Sequence, residues 1–301
     1  CFGTLPMGPL QKNVSIADSA AMIVHALDQG VNFIDTAQLY RTYPAVRAAL
    51  AATGARPVIA TKSLARDYAG MQAAIDEALV ALGVDCLDIV HLHAARATAA
   101  VFAERAGALQ CLIDNRAQGK IRAAGISSHA VPVIRAAADH PEIDVVFPLY
   151  NCAGLGILAG TLAEMRLAID ACVAADKGVY LMKALGGGRL IDRYREAMDF
   201  CRGIPGVASL AVGTVSLAEL EFNLAWFAGT LPPDATFPEL AAWHKQFRVV
   251  EFLCNNCGTC RSACASRAIS EQQGKANINQ EQCVQCGYCV SSCPQFAIRV
   301  L

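Results

Sequence analysis

Residues 32–40 read NFIDTAQLY. A short apolar run ends on a carboxylate, Asp35, and a phenol, Tyr40, follows five residues later. Seven further runs of the same strand-like kind occur upstream of residue 229: FGTLP, PVIATK, LDIVHLH, AAGISS, VVFPLYN, GVYLMKAL and ASLAVG. Between them lie stretches of helical period. Met71, Ala74, Ile75, Ala78, Leu79 and Leu82 recur at three- and four-residue steps, as do Ala20, Ile23, Val24 and Leu27, which predicts amphipathic helices. Ser216 with Glu219 has the pattern of a capping box opening the last of them. Strand and helix alternating eight times predict an α/β fold, a (β/α)8 TIM barrel. The alternative is a doubly wound open sheet. Against it, no G-x-G-x-x-G follows the first strand, and the glycine run LGGGRL (185–190) comes late.

A barrel places its chemistry where strands end at their carboxyl edge. Asp35, Lys62 and His93 close three of the predicted strands, and Tyr40 lies just beyond one of them. A free tyrosine titrates near pH ~10 and is inert as an acid in neutral water. A lysine ammonium beside it favours the phenolate, and Asp35 would pair with Lys62 and hold it there. His93 can donate to a substrate oxygen or relay a proton. The bland alternative is an Asp–Lys pair that stabilises the barrel mouth with a tyrosine nearby. His91, two residues deeper on the same face, reads as a satisfied interior histidine.

The chain carries 14 cysteines. Eight fall in two quartets of spacing C-x2-C-x2-C-x3-C: CNNCGTCRSAC (254–264) and CVQCGYCVSSC (283–293). Three thiolates two residues apart can wrap three corners of a cubane, and the fourth then points toward a neighbouring cluster. Cys254, Cys257, Cys260 and Cys293 are therefore expected to hold one [4Fe–4S] cluster, and Cys283, Cys286, Cys289 and Cys264 the other. Structural zinc favours paired C-x2-C knuckles separated by a longer loop, and a disulfide framework suits a secreted chain. The six scattered cysteines read as small buried hydrophobes of a reducing compartment, with Cys152 the candidate for an exposed thiol.

NFIDTAQLY, VIATK, LDIVHLH and GISSH, in this order and spacing, resemble the aldo-keto reductase family from about Phe2 to Phe227. The resemblance implies Tyr40 as general acid/base with Lys62, Asp35 and His93 in support. It also implies a nicotinamide, NAD(P), lying across the barrel mouth. Ser127 and Ser128 stand at positions that touch the nicotinamide amide in that family, although asparagine is usual at the second. The run Gly186, Gly187, Gly188 and Arg189 offers close backbone approach and a cation for a pyrophosphate, and Asn223 is kept in GTVSLAELEFN. Phe147 stands in place of an amide-holding glutamine and Met182 in place of a stacking aromatic. Glu219 lies where basic residues often grip a 2′-phosphate; it either completes the cap or disfavours NADP. Residues 251–299 resemble a bacterial two-cluster ferredoxin, including Pro294 after the last cysteine, with Ala265 where that family usually repeats the proline.

The expected organisation is a barrel over residues 1–228, a linker over 229–250 containing LPPDATFPEL, and a small α+β two-cluster ferredoxin-like domain over 251–301. Hydrophobic residues make up 54%, charged residues 17%, and net charge is −1, values that fit an enzyme with a large core and lack the basic excess that nucleic acid attracts. The longest uncharged run, 145–163, is interrupted by Pro148, Asn151 and glycines, so no membrane span is expected. No signal peptide is visible, although the sequence starts at Cys1, and a cytoplasmic setting is expected. The function expected is that of an iron–sulfur oxidoreductase acting on a carbonyl or alcohol group of a small-molecule substrate. It would exchange electrons with a redox partner protein, a ferredoxin or a larger complex. The rival expectation is a non-catalytic electron-transfer subunit whose barrel is an adaptor. Hydride transfer moves two electrons and each cluster one, and no flavin fingerprint bridges the two.

Overall fold

The computed structural model describes residues 1–238, 246–295 and 297–300. Eight parallel strands follow one another around a single sheet: β1 (Phe2–Gly3), β2 (Phe33–Asp35), β3 (Val58–Ser63), β4 (Leu87–His93), β5 (Ile121–Ser128), β6 (Val145–Pro148), β7 (Gly178–Met182) and β8 (Ser209–Ala211). Closure comes from Phe2 bridging Val212 in parallel, with Gly3 N donating to Val212 O at 2.8 Å. All eight strands lie where the alternation of the sequence places them.

The helices are α1 (Ile16–Asp28), α2 (Tyr43–Thr53), α3 (Tyr68–Leu82), α4 (Val101–Glu104), α5 (Ala106–Ala117), α6 (Val131–Ala138), α7 (Leu162–Ala174), α8 (Tyr194–Arg202) and α9 (Leu217–Ala228). Their apolar stripes decide which face turns inward. On α3, Met71, Ala74, Ile75, Ala78 and Leu82 are buried against the sheet, and Asp67 caps the helix by accepting from Gly70 N. On α9, Ser216 accepts from Glu219 N, while the Glu219 carboxylate reaches back to Val215 N rather than to the cap residue itself.

A second, smaller unit follows. Strand β9 (Phe247–Val249), inside the span read as linker, pairs antiparallel with β12 (Ile298–Val300). Between them lie α10 (Thr259–Ala263), the hairpin β10 (Ile269–Gln272) and β11 (Lys275–Ile278), and α11 (Tyr288–Ser292). Residues 239–245 of the expected linker lie outside the described residues. The core of this unit is built from Phe247, Ala268, Ile269, Ile278, Ala297, Ile298 and cysteines of both quartets.

The small unit sits on the barrel. Gln11 Nε2 donates to the Gln285 carbonyl at 3.2 Å, and Arg96 donates to the carbonyls of Arg261 and Ser262. Arg189 donates to the carbonyls of Gln280 and Glu281. Val284, 1% exposed, fills the space left by two side-chain-free positions, Gly156 and Gly187. A Cβ at Gly187 would collide with the Val284 carbonyl oxygen, and one at Gly287 with the Leu10 carbonyl oxygen.

Candidate functional site

The carboxyl ends of β2, β3 and β4 bring Asp35, Lys62 and His93 to one side of the barrel mouth. A single turn, Gln38–Tyr40, swings Tyr40 in over them; its Arg41 cap is left-handed at φ 56°. All four residues are buried, Lys62 at 1% exposure and Tyr40 at 5%. Lys62 Nζ donates to both carboxylate oxygens of Asp35 at 2.7 and 2.8 Å and to the Thr36 carbonyl at 2.6 Å. It stands 4.8 Å from the Tyr40 ring centroid. Burial pushes the Asp35 carboxyl up and the Lys62 ammonium down. Mutual hydrogen bonds oppose both shifts, and Tyr180, whose hydroxyl donates to Asp35 Oδ2 at 2.9 Å, opposes that of Asp35. Tyr180 in turn meets His91 Nε2 at 2.7 Å, which gives the interior histidine its partner.

Burial also pushes the Tyr40 phenol well above its ordinary range, and Tyr288 and then Asp35 add to the rise. The net shift is upward, against the expectation that Lys62 draws this phenol down: burial outweighs the lysine, which is also engaged by Asp35 and the Thr36 carbonyl. Tyr40 is therefore a protonated acid at neutral pH. His93 is held well below the usual histidine range, by burial first and then by Lys62, and is neutral.

Tyr288 comes from the second unit. Its hydroxyl lies 3.0 Å from His93 Nε2, with the two rings edge-on at 81°, and it forms a hydrogen-bonding pair with Tyr40. Leu10, Ala37, Tyr40 and Tyr288 pack as one apolar cluster. Beside them opens a cavity of about 150 Å3, lined by Asp35, Tyr40, Tyr288, Met182, Lys183 and Glu219 among others. Sequence reasoning missed both Tyr180 and Tyr288. Tyr180 could have been found, because strand alternation turns it to the barrel interior with His91. Nothing in the spacing of the second quartet singles out Tyr288.

The residues read for a nicotinamide are placed unevenly. Ser127 Oγ is buried with no hydrogen-bond partner among the described residues. Ser128 Oγ is occupied, donating to the Ala94 carbonyl at 2.9 Å and accepting from Ala130 N. Phe147 stacks on Tyr180 at 3.9 Å. Asn223 is consumed inside the fold, accepting from the Tyr194 hydroxyl and donating to the Glu219 carbonyl, both at 2.7 Å. Gly187 and Gly188 line the cavity, while Gly186 is buried against Leu155 and Leu190. Arg189 is spent on the second unit, as described above.

The cysteines fall into two groups, each mixing the two quartets. Cys254, Cys257, Cys260 and Cys293 surround one void, and Cys264, Cys283, Cys286 and Cys289 surround another. Among the described residues no three His, Cys, Asp or Glu side chains converge closely enough to grip a single metal ion. Thiols spread around a void fit a multi-iron cluster better than one ion. Backbone N–H groups point at the sulfurs: Ala268 N to Cys264 Sγ at 3.2 Å, Ala297 N to Cys293 Sγ at 3.3 Å and Ala276 N to Cys254 Sγ at 3.5 Å. Such donors stabilise thiolates and raise cluster potentials. Cys257 is exposed, whereas all four thiols of the second set are buried. Of the scattered cysteines, burial pushes the Cys152 thiol up, away from a reactive thiolate.

A closed parallel barrel with this rim, joined to a unit of two cysteine quartets, defines an oxidoreductase with an iron–sulfur module. The chain belongs to the aldo/keto reductase family, whose model matches residues 1–208, and a 4Fe-4S dicluster domain matches residues 247–294. It is 31% identical over 256 residues to a 6-dehydroglucose reductase of Novosphingobium aromaticivorans, covering 70% of this chain and 82% of that one. It is 27% identical over 220 residues to the aldo-keto reductase yakc [NADP(+)] of Schizosaccharomyces pombe, covering 67% of this chain and 62% of that one. A Pseudomonas aeruginosa structure described as an aldo-keto reductase superposes with a TM-score of 0.65 at 24% identity, covering 77% of this chain and 90% of that one, a likeness of fold. No helix among the described residues is long and apolar enough to cross a membrane.

Proposed function

We propose that this chain interconverts a carbonyl and an alcohol on a small molecule bound in the cavity at the barrel mouth, with Tyr40 as general acid/base. In the reducing direction the protonated phenol gives its proton to the carbonyl oxygen. The Asp35–Lys62 pair beneath it stabilises the phenolate that remains, since Lys62 can turn part of its charge toward the ring it already faces. His93 and Tyr180 fix the geometry around these groups. Cys254, Cys257, Cys260 and Cys293 would hold one [4Fe–4S] cluster and Cys264, Cys283, Cys286 and Cys289 the other, and together the two would supply two electrons, one each. Reducing a carbonyl to an alcohol takes these two electrons and two protons: Tyr40 supplies the proton that ends on oxygen, and solvent supplies the one that ends on carbon.

The observation that carries this reading is Tyr288. It lies between the ligands Cys286 and Cys289, and its hydroxyl touches both Tyr40 and His93. An iron–sulfur module attached only for stability would not need to enter the site. We further propose that nicotinamide binds weakly. Ser128 and Asn223 have their side-chain hydrogen bonds satisfied internally, and Arg189 grips the second unit. Each missing contact is worth on the order of 1 kcal/mol. Electrons then come from a protein partner, which would reach the cluster whose ligand Cys257 is exposed.

The test mixes anaerobic protein with NADH, NADPH and a reduced low-potential ferredoxin in separate cuvettes while cluster absorbance is followed. Fast reduction by the ferredoxin and little by either nicotinamide is expected. Tight nicotinamide binding, with carbonyl turnover that survives removal of iron, would defeat the reading.

A further inference from the structure

We propose that Tyr288 is itself a catalytic residue: with Tyr40 it forms a two-phenol seat for the substrate oxygen, and His93 acts behind it as a positioning residue. The proposal rests on the carbonyl/alcohol reading of this site. Both phenols and Asp35 line the cavity, whereas His93 is not among its walls. His93 lies behind Tyr288, its Nε2 3.0 Å from the phenol oxygen.

The tautomer of His93 sets the direction of the chain. Its Nδ1 is buried with no hydrogen-bond partner among the described residues. An orphaned N–H is costlier to bury than a bare lone pair. The proton therefore sits on Nε2 and is donated to the Tyr288 oxygen. That leaves the Tyr288 O–H proton as a donor on the side of Tyr40 and the cavity, where a bound substrate oxygen would accept it. Two O–H donors converging on one oxygen make the kind of preorganised seat that stabilises developing negative charge.

The ligand spacing does not require a tyrosine here. The matching position in the first quartet is Thr259, whose hydroxyl lies 3.3 Å from Cys257 Sγ, within its own loop. The phenol at 288 is explained by what it meets across the interface.

The probe is benzaldehyde labelled at its 13C=O group, added to fully loaded, oxidised protein and followed by difference infrared spectroscopy and by its Kd. Wild type is expected to lower the carbonyl stretch through two donors. Tyr288→Phe at unchanged iron content should lose about half of that shift and weaken Kd roughly tenfold, one hydrogen bond's worth. His93→Gln keeps an acceptor and a donor behind Tyr288 and should retain most of the shift, which supplies a second reading if Tyr288→Phe fails to load iron. An unchanged shift in Tyr288→Phe, or a shift lost in His93→Gln with Tyr288 in place, overturns the proposal while the role of Tyr40 stands. A probe that binds without any shift in wild type, or does not bind, removes the carbonyl reading together with this one.

Discussion

Cys254–Cys260 and Cys283–Cys289 pass through the same backbone conformations. Asn256 and Gln285 are left-handed at φ 56° and 51°, Gly258 and Gly287 both stand at φ 79°, and each loop enters a five-residue helix. The difference lies in the residues between the ligands. The first loop carries Asn255, Asn256 and Thr259 and leaves Cys257 exposed. The second carries Val284, buried against two glycines of the barrel, and Tyr288, bonded into the barrel mouth. A duplicated motif has thus been divided into an outer end and an inner end by Val284 and Tyr288. The same cysteine spacing and backbone serve either end, so the difference lies in the positions between the cysteines.

The comparison can be broken most severely at the crossed ligand. Cys264 belongs by sequence to the first quartet and by space to the second void. Cys264→Ser should therefore remove the inner cluster and leave the outer one, with iron content falling by about half. Iron and sulfide analysis alongside the electron paramagnetic resonance of the surviving cluster checks this, and loss of the outer signal alone would reverse the assignment.

Next in size is the phenol that the inner loop abuts. Tyr40→Phe should lower carbonyl turnover about 100-fold and, by removing one donor to the substrate oxygen, weaken substrate binding roughly tenfold. Lys62→Met should act in the same direction by leaving the Asp35 carboxylate buried and unpaired. Steady-state kinetics with unaltered rates in both variants would mean that the rim is not catalytic.

Gly258→Ala and Gly287→Ala form a matched pair. Both impose the same left-handed strain, about 1–2 kcal/mol. At Gly258 the new methyl meets the flexible end of Arg261, at 3.1 Å, whereas at Gly287 it meets the Leu10 carbonyl. Gly287→Ala should lower the melting temperature several degrees further than Gly258→Ala and loosen the inner loop from the barrel. Equal melting temperatures would argue that the inner loop is not wedged against the barrel.

The smallest effect concerns pH. His129 is buried and its pKa is lowered to about 3, by burial first and then by Lys183. An unfolded histidine titrates near pH ~6.5, so below that value the unfolded chain binds the extra proton. The stabilisation is complete above about pH 6.5 and is lost as pH falls toward 3, at up to ~1.4 kcal/mol per pH unit. Melting temperatures at pH 7.5 and 5.5 should differ less in His129→Asn than in wild type.

Much of this was legible in the sequence. The eight strands could be read because each apolar run is bounded by polar turns, and Asp35, Lys62 and His93 could be placed because a barrel sends every strand end to one rim. The cysteine grouping followed from spacing alone. The state of Tyr40 was not legible, because the rise in its pKa comes from burial first and then from Tyr288 of the second unit. Nor was the fate of Arg189 and Asn223, whose residue types fit a cofactor but whose partners are set by packing. Tyr288 was hidden for the same reason: its contacts with His93 and Tyr40 exist only across an interface between two separately readable segments.

The central claim is that one cluster faces the catalytic cavity and the other faces solvent. The most direct measurement is electron paramagnetic resonance of the fully reduced, fully loaded protein with and without benzyl alcohol, a ligand that accepts no electrons. The alcohol is expected to perturb one cluster signal, the one missing in Cys264→Ser, and to leave the other unchanged. A perturbation confined to the other signal, or bound alcohol that alters neither, would contradict it.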